Sequence, residues 1–148
     1  MVRKIVIKGA YFHNTFTAPS LNSYLQACGM KPVIGANLKR QFEGICAIEI
    51  RKQLLKAEFK PPVCLHYKFY EPAKARTRKR DCGNILAMFD KVFADAFVKC
   101  GYIPDDGPKY MRMPTGELYY TDDVPYIEIY IEDDLPEGYQ PFVFSGTE

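Results

Sequence analysis

Two stretches alternate apolar and polar residues with the period of a β-strand. From Val63 to Tyr70, Val63, Leu65, Tyr67 and Phe69 share one face, and Cys64, His66, Lys68 and Tyr70 share the other. From Tyr126 to Glu132, Ile127, Ile129 and Ile131 oppose Glu128, Tyr130 and Glu132. Residues 3–8, Arg-Lys-Ile-Val-Ile-Lys, read as a short first strand. Helical periodicity fills much of the rest. Thr17 or Ser20 is placed to cap a short helix to about Cys28, which Gly29 and Pro32 end. Asn37 is the candidate cap of a longer helix to about Phe59, stopped by Pro61-Pro62. Its apolar stripe is Leu38, Phe42, Ile45 and Cys46, with Arg40, Glu43, Arg51 and Lys52 turned to water. A third helix spans about Asn84 to Lys99 and ends at Gly101. The turn Pro104–Pro108 leads to weaker strand material at Tyr110–Met113. Pro114-Thr-Gly116 reads as a hairpin turn toward Leu118–Tyr120. The order predicts a mixed α/β domain, a small mixed sheet covered by helices.

At 148 residues, 47% of them apolar, the chain suits one domain with a real core. We expect that domain over residues 1–132. Residues 133–148, acidic and holding Pro136 and Pro141, read as a loosely ordered tail. No run approaches the ~20 apolar residues of a membrane helix, and no signal-peptide pattern opens the chain. A cytoplasmic protein without membrane contact is the expectation.

The formal net charge of +2 hides an asymmetry. Residues 1–116 hold all 20 bases and 9 of the 18 acids, and residues 117–148 hold the other 9 acids and no base. A basic first part suits a polyanion such as nucleic acid. Cys28, Cys46, Cys64, Cys82 and Cys100 recur every 18 residues without a repeating context. An odd count without a Cys-x-x-Cys pair argues against a disulfide framework or zinc knuckle and for buried thiols. With only His13 and His66, any metal would rest mainly on carboxylates.

The helix from Asn84 carries the most chemical information. With Asn84 at 0°, Lys91 falls at about 340° and Asp95 at about 20°, while Ile85, Leu86, Phe89, Val92, Phe93, Ala96 and Phe97 fall between about 80° and 220°. One face is aromatic and buried, and the opposite side aligns Asn84, Lys91 and Asp95. Asp81 precedes this helix behind the basic run Lys74, Arg76, Arg78, Lys79 and Arg80. Asp105-Asp106 follow it beyond Gly101. Carboxylates without histidine suit Mg²⁺, and nearby Lys and Arg suit a phosphate substrate. Together they describe metal-assisted phosphodiester hydrolysis. A solvated face with one Lys–Asp pair, an acidic turn and a basic surface loop is the plainer account.

Arg80-Asp81-Cys82-Gly83-Asn84, then Lys91, Asp95-Ala96-Phe97 and Gly101-Tyr-Ile-Pro-Asp105-Asp106, resemble the RusA family of small Holliday-junction endonucleases from bacteria and their phages. Pro19-Ser20-Leu21-Asn22-Ser-Tyr24 is similar to a stretch near the start of such proteins. The resemblance follows element order over residues 17–131 and is specific in 80–106. It implies a cytoplasmic, bacterial or phage-encoded homodimer that uses Mg²⁺ to cut four-way junctions or other branched DNA in recombination and repair. Carried across, Asp81 and one or both of Asp105 and Asp106 would be catalytic metal ligands, and Asp95 a further acidic position counted among the candidate ligands. Lys91 would act on the scissile phosphate. Asn84 and Asn22 would position, and Lys74, Arg76, Arg78, Lys79 and Arg80 would hold DNA. Two departures stand out. The family reads Asp-x-Asp-Asn, and Gly83 replaces the second Asp. The Asn84-to-Lys91 spacing is also about four residues longer, which keeps Lys91 on its face but moves it about 6 Å along the axis. Asp90, at about 240°, is poorly angled to substitute. The alternatives are a DNA-binding module of the same fold without catalysis, and a structural protein whose acidic tail docks a basic partner.

Overall fold

The computed structural model describes residues 2–12, 25–26, 28–29, 31–74 and 81–136. Four strands, β1 (Val2–Lys8), β2 (Cys64–Pro72), β3 (Thr115–Thr121) and β4 (Tyr126–Glu132), form one sheet in the order β1-β4-β2-β3. Two long helices, α1 (Pro32–Leu54) and α2 (Cys82–Lys99), pack against each other and line the core on one side of it. β4 runs antiparallel to both β1 and β2, and β2 and β3 are parallel, joined through α2. A parallel neighbour needs such a crossover, because a tight turn can only reverse the chain. The fold is mixed α/β, as the alternation of periods predicts.

Period-two patterning decides which face of the sheet is dry. Ile5, Ile129 and Tyr67 lie in one row across three strands, and Ile7, Ile127 and Phe69 in the next. All six are at most 1% exposed. Against them sit Phe89, Phe93 and Phe97 of α2 and Phe42, Cys46 and Ile50 of α1. Tyr67 meets Phe89 and Phe93 edge-on at 5.5 and 6.0 Å, the arrangement that ring quadrupoles favour. The opposite face is polar and tyrosine-rich. Tyr70 is stacked between Tyr126 at 4.4 Å and Tyr119 at 5.1 Å. Tyr70 and Tyr130 donate to Glu128, which also pairs with Lys4 at 2.9 Å.

Several boundaries differ from expectation. α1 begins at Pro32, where a fixed φ and a missing N–H suit the first turn. Pro32 therefore opens a helix and does not close one, and Asn37 lies inside, accepting from Arg40 at 2.8 Å. Of the short helix expected at 20–28, residues 25, 26 and 28 are helical, as is 29, and the proposed caps lie outside the described residues. α1 also stops at Leu54, well before Pro61-Pro62. Leu55 turns to φ 52°, its carbonyl held by the Tyr102 hydroxyl at 2.6 Å. Phe59 can then leave the helix path and pack on Phe97 and Tyr102. Glu43, expected in water, is buried against Lys99 at 2.6 Å.

The expected hairpin at Pro114–Gly116 is absent. Gly116 sits within β3, paired with Tyr67 of β2. A Cβ there would meet Leu86 of α2 at 3.1 Å, so glycine serves the close approach of helix to sheet. The weak strand at 110–113 is reduced to one bridge, Val63 with Met111. Just past residue 132 the chain still packs on the domain. Asp133 accepts from the Lys60 N–H, Asp134 donates to the Lys60 carbonyl, and Leu135 is buried. All five cysteines are free; Cys46 and Cys64 are buried, and Cys28, Cys82 and Cys100 half-buried. Burial pushes the Cys64 thiol up to about 12, as expected of an inert core cysteine.

Candidate functional site

α2 is anchored at both ends. Asp81 is its N-cap, with its carboxylate accepting from the Gly83 N–H at 3.2 Å. Gly101, at φ 87°, reverses the chain after Lys99, as glycine at a helix end does. The buried aromatic stripe fixes the rotation of the helix, and so fixes what the rest of its surface presents. Beyond Gly101 the chain folds back along α2. Ile103 is buried, Asp105 accepts from the Asp106 N–H at 2.7 Å, and Met111 donates to the Gly107 carbonyl. Val63 and Arg112 then tie this segment to the start of β2.

Between α2 and the returning segment lies a cleft of about 320 Å³, lined by Ala87, Asp90, Lys91, Ala94, Asp95, Asp106 and Met111. On the helical wheel these α2 residues span about 240° to 20°, with Asp90 and Asp95 at the borders and the small Ala87 and Ala94 between them. The alanines leave the space, and the carboxylates and Lys91 give it charge.

Asp90 is the least comfortable group in this cleft. Burial pushes its carboxyl up from the usual range. The Tyr67 hydroxyl, donating at 2.7 Å, opposes that rise, while the charges of Asp106 and Asp95 add to it. Asp95 is bridged from α1 by Lys39 at 3.1 Å. The same Lys39 ammonium lies 3.8 Å from Glu43.

A second acidic group forms at the start of α2. The half-buried Cys82 thiol is raised by burial, then by the charges of Asp81, Glu71 and Glu117. A Cβ on Gly83 would meet only Asp81, at 3.7 and 3.8 Å, and Gly83 has no positive φ. Asp81 and Asp95 are fourteen residues apart on one helix, or about 21 Å along its axis. One Mg²⁺, with ligand oxygens about 2.1 Å away, cannot take both.

No family model matches the chain, and no curated protein matches it. Of the site residues expected from sequence, Lys91, Asp95 and Asp106 come together in the cleft. Asp105 orients the turn beside it, Asp81 caps α2, and Asn84 is half-buried in the first turn. Lys74 is exposed after β2, while Arg76, Arg78, Lys79, Arg80 and Asn22 lie outside the described residues. Lys39 and Tyr67 were not signalled by the motif. Lys39 sits on a different helix, and Tyr67 reads simply as the apolar side of a strand.

Among the described residues, no three His, Cys, Asp or Glu side chains converge to cage a metal. Mg²⁺ does not need such a cage, since it keeps several waters and takes one or two carboxylates together with substrate phosphates. Asp95 and Asp106 match it in donor chemistry. Among the described residues no helix is long and apolar enough to cross a membrane.

Proposed function

We propose that this chain is a RusA-like, Mg²⁺-dependent endonuclease acting on branched DNA, with its reaction centre in the cleft beside α2. The observation that carries the reading is the convergence of Lys91, Asp95 and Asp106 on one cavity of about 320 Å³. Asp95 and Asp106 would hold the ion, which when bound supplies a Lewis acid and an acidified water. Lys91 offers an ammonium to a phosphate oxygen, a point charge that needs no fixed approach angle. The half-buried Asp90, held by Tyr67, accepts a proton more readily than a free carboxylate, as suits general acid–base work.

The basic run from Lys74 to Arg80 directly precedes Asp81 in the sequence. Its role is to hold phosphates without reading sequence, so affinity should fall steeply with salt. A four-way junction has approximate two-fold symmetry and needs two cuts, so the working unit is a homodimer. The deciding experiment is Mg²⁺-dependent cleavage of a synthetic four-way junction beside a matched linear duplex. Cleavage of the junction and not of the duplex supports the reading, and cleavage of neither at any Mg²⁺ concentration defeats it. The second reading, a DNA-binding module without catalysis, is favoured by Gly83, which leaves the start of α2 one carboxylate short. Tight, salt-sensitive junction binding without cleavage would select it.

A further inference from the structure

A cation from the neighbouring helix already holds one of the carboxylates that line the cleft. Lys39 reaches from α1 to within 3.1 Å of Asp95 Oδ2, on the border of the cavity. One turn along α1, Glu43 Oε2 stands 3.8 Å from the same ammonium, and Glu43 Oε1 is held by Lys99 at 2.6 Å. Four side chains of alternating sign, Lys99, Glu43, Lys39 and Asp95, thus run from the seam between the helices to the cleft. The two outer contacts are short and the central one is long. Lys39 is therefore held firmly by Asp95 and loosely by Glu43.

We propose that Lys39 is a built-in counter-ion that occupies Asp95 when no metal is bound and yields it to a divalent cation by moving onto Glu43. This rests on the reading of Asp95 as a metal ligand. A divalent ion on Asp95 would stand within a few ångström of the Lys39 ammonium, and like charges at that separation repel strongly where solvent is partly excluded. Glu43 makes the displacement inexpensive. It is 7% exposed, lies one turn away on the same helix and still has acceptor capacity, so the ammonium leaves Asp95 without being stranded. The consequence is regulatory. Competition from Lys39 lowers the affinity of the free cleft for Mg²⁺. A bound DNA phosphate adds negative charge and an oxygen ligand and shifts the balance toward the metal. The ion is then taken up together with the substrate.

The test is Mg²⁺ titration of the full chain by calorimetry, without DNA, so that no readout depends on catalysis. Lys39→Gln should bind Mg²⁺ about five- to tenfold more tightly than the parent, the order expected for removing one charge at short range. Lys39→Arg, which keeps the charge, should stay within about twofold of the parent on the same reasoning. Lys39→Met serves as a second neutral variant should the glutamine variant unfold, with the same expected gain. If the neutral variants bind Mg²⁺ no more tightly than the parent while Asp95→Asn abolishes binding, Lys39 only pins the helices. The inference then fails and the metal site stands. If Asp95→Asn leaves binding unchanged, the metal-site reading fails and takes this inference with it. Absence of binding by the parent and both neutral variants at millimolar Mg²⁺ overturns both.

Discussion

The two ends of α2 put the same residue type to opposite uses. At the start, Asp81 meets the helix at its electropositive terminus, accepts a backbone N–H and stays exposed. Its charge there is satisfied by the fold itself. From the middle onward, Asp90 and Asp95 lie where the helix offers no free N–H groups, and Asp106 is brought against them by the returning chain. Lys39 pairs with Asp95 and the Tyr67 hydroxyl donates to Asp90, Lys91 lines the same cleft, and Asp90 remains raised. A carboxylate that caps a helix is stable as it stands. Carboxylates crowded in a cleft gain from an added cation, and that difference makes the cleft the better candidate for chemistry.

The sharpest break of this comparison uses Asn in place of Asp at each end. Asp106→Asn and Asp95→Asn are each expected to lower Mg²⁺-dependent junction cleavage by about a hundredfold or more, the usual order for removing a group that acts on transition-state charge. Asp81→Asn keeps a good cap, since Asn and Asp are equivalent there, and should retain most activity. Equal losses at all three positions in a cleavage time course would extend the site to the start of the helix and end the distinction.

Stability separates the ends next. Asp81→Ala removes the cap and should cost about 1 kcal/mol, whereas Asp81→Asn should cost little. Equal chemical-denaturation midpoints for the two variants would mean that the cap is energetically idle.

The sign reverses at Asp90. Its folded pKa is raised, so its contribution to stability is fully present below the unfolded carboxylate value and is lost as pH rises through the folded one. Asp90→Asn keeps an acceptor for Tyr67 and carries no charge. It should therefore raise Tm at pH 7 by a few degrees, and the gain should vanish as pH falls below the carboxylate range. Melting curves across pH check this; a gain that persists in acid would assign the effect to packing.

The smallest effect is expected at Gly83. It is helical, without positive φ, and has room for a Cβ. Gly83→Ala should therefore stabilise by about 0.5 kcal/mol through lower unfolded-state entropy. Gly83→Asp should fold equally well and add a weak second Mg²⁺ site beside Asp81, seen as a changed stoichiometry in titration. A destabilised alanine variant would show that the glycine meets a constraint other than space.

Local pattern was enough where one element carries its own period. The alternation at Val63–Tyr70 and Tyr126–Glu132 and the aromatic stripe of α2 each state a buried face, because burying one face of a strand or helix is what those periods are for. The end of α2 at Gly101 was equally legible, since a residue in left-handed geometry favours glycine. The alignment of Lys91 with Asp95 also followed from helical geometry alone. The sequence could not show that β3 pairs with β2 and not β4, that Gly116 exists for Leu86, or that α1 stops where Tyr102 holds Leu55. Nor could it bring Asp106 to the middle of α2, aim Tyr67 at Asp90 or reach Lys39 across to Asp95. Each of these joins residues far apart in the chain. Their proximity depends on how whole elements pack, and periodicity within one element holds no record of its neighbour. The sequence determined which faces are dry and which residue types were available for chemistry, and packing between α1, α2 and the sheet decided which of them meet.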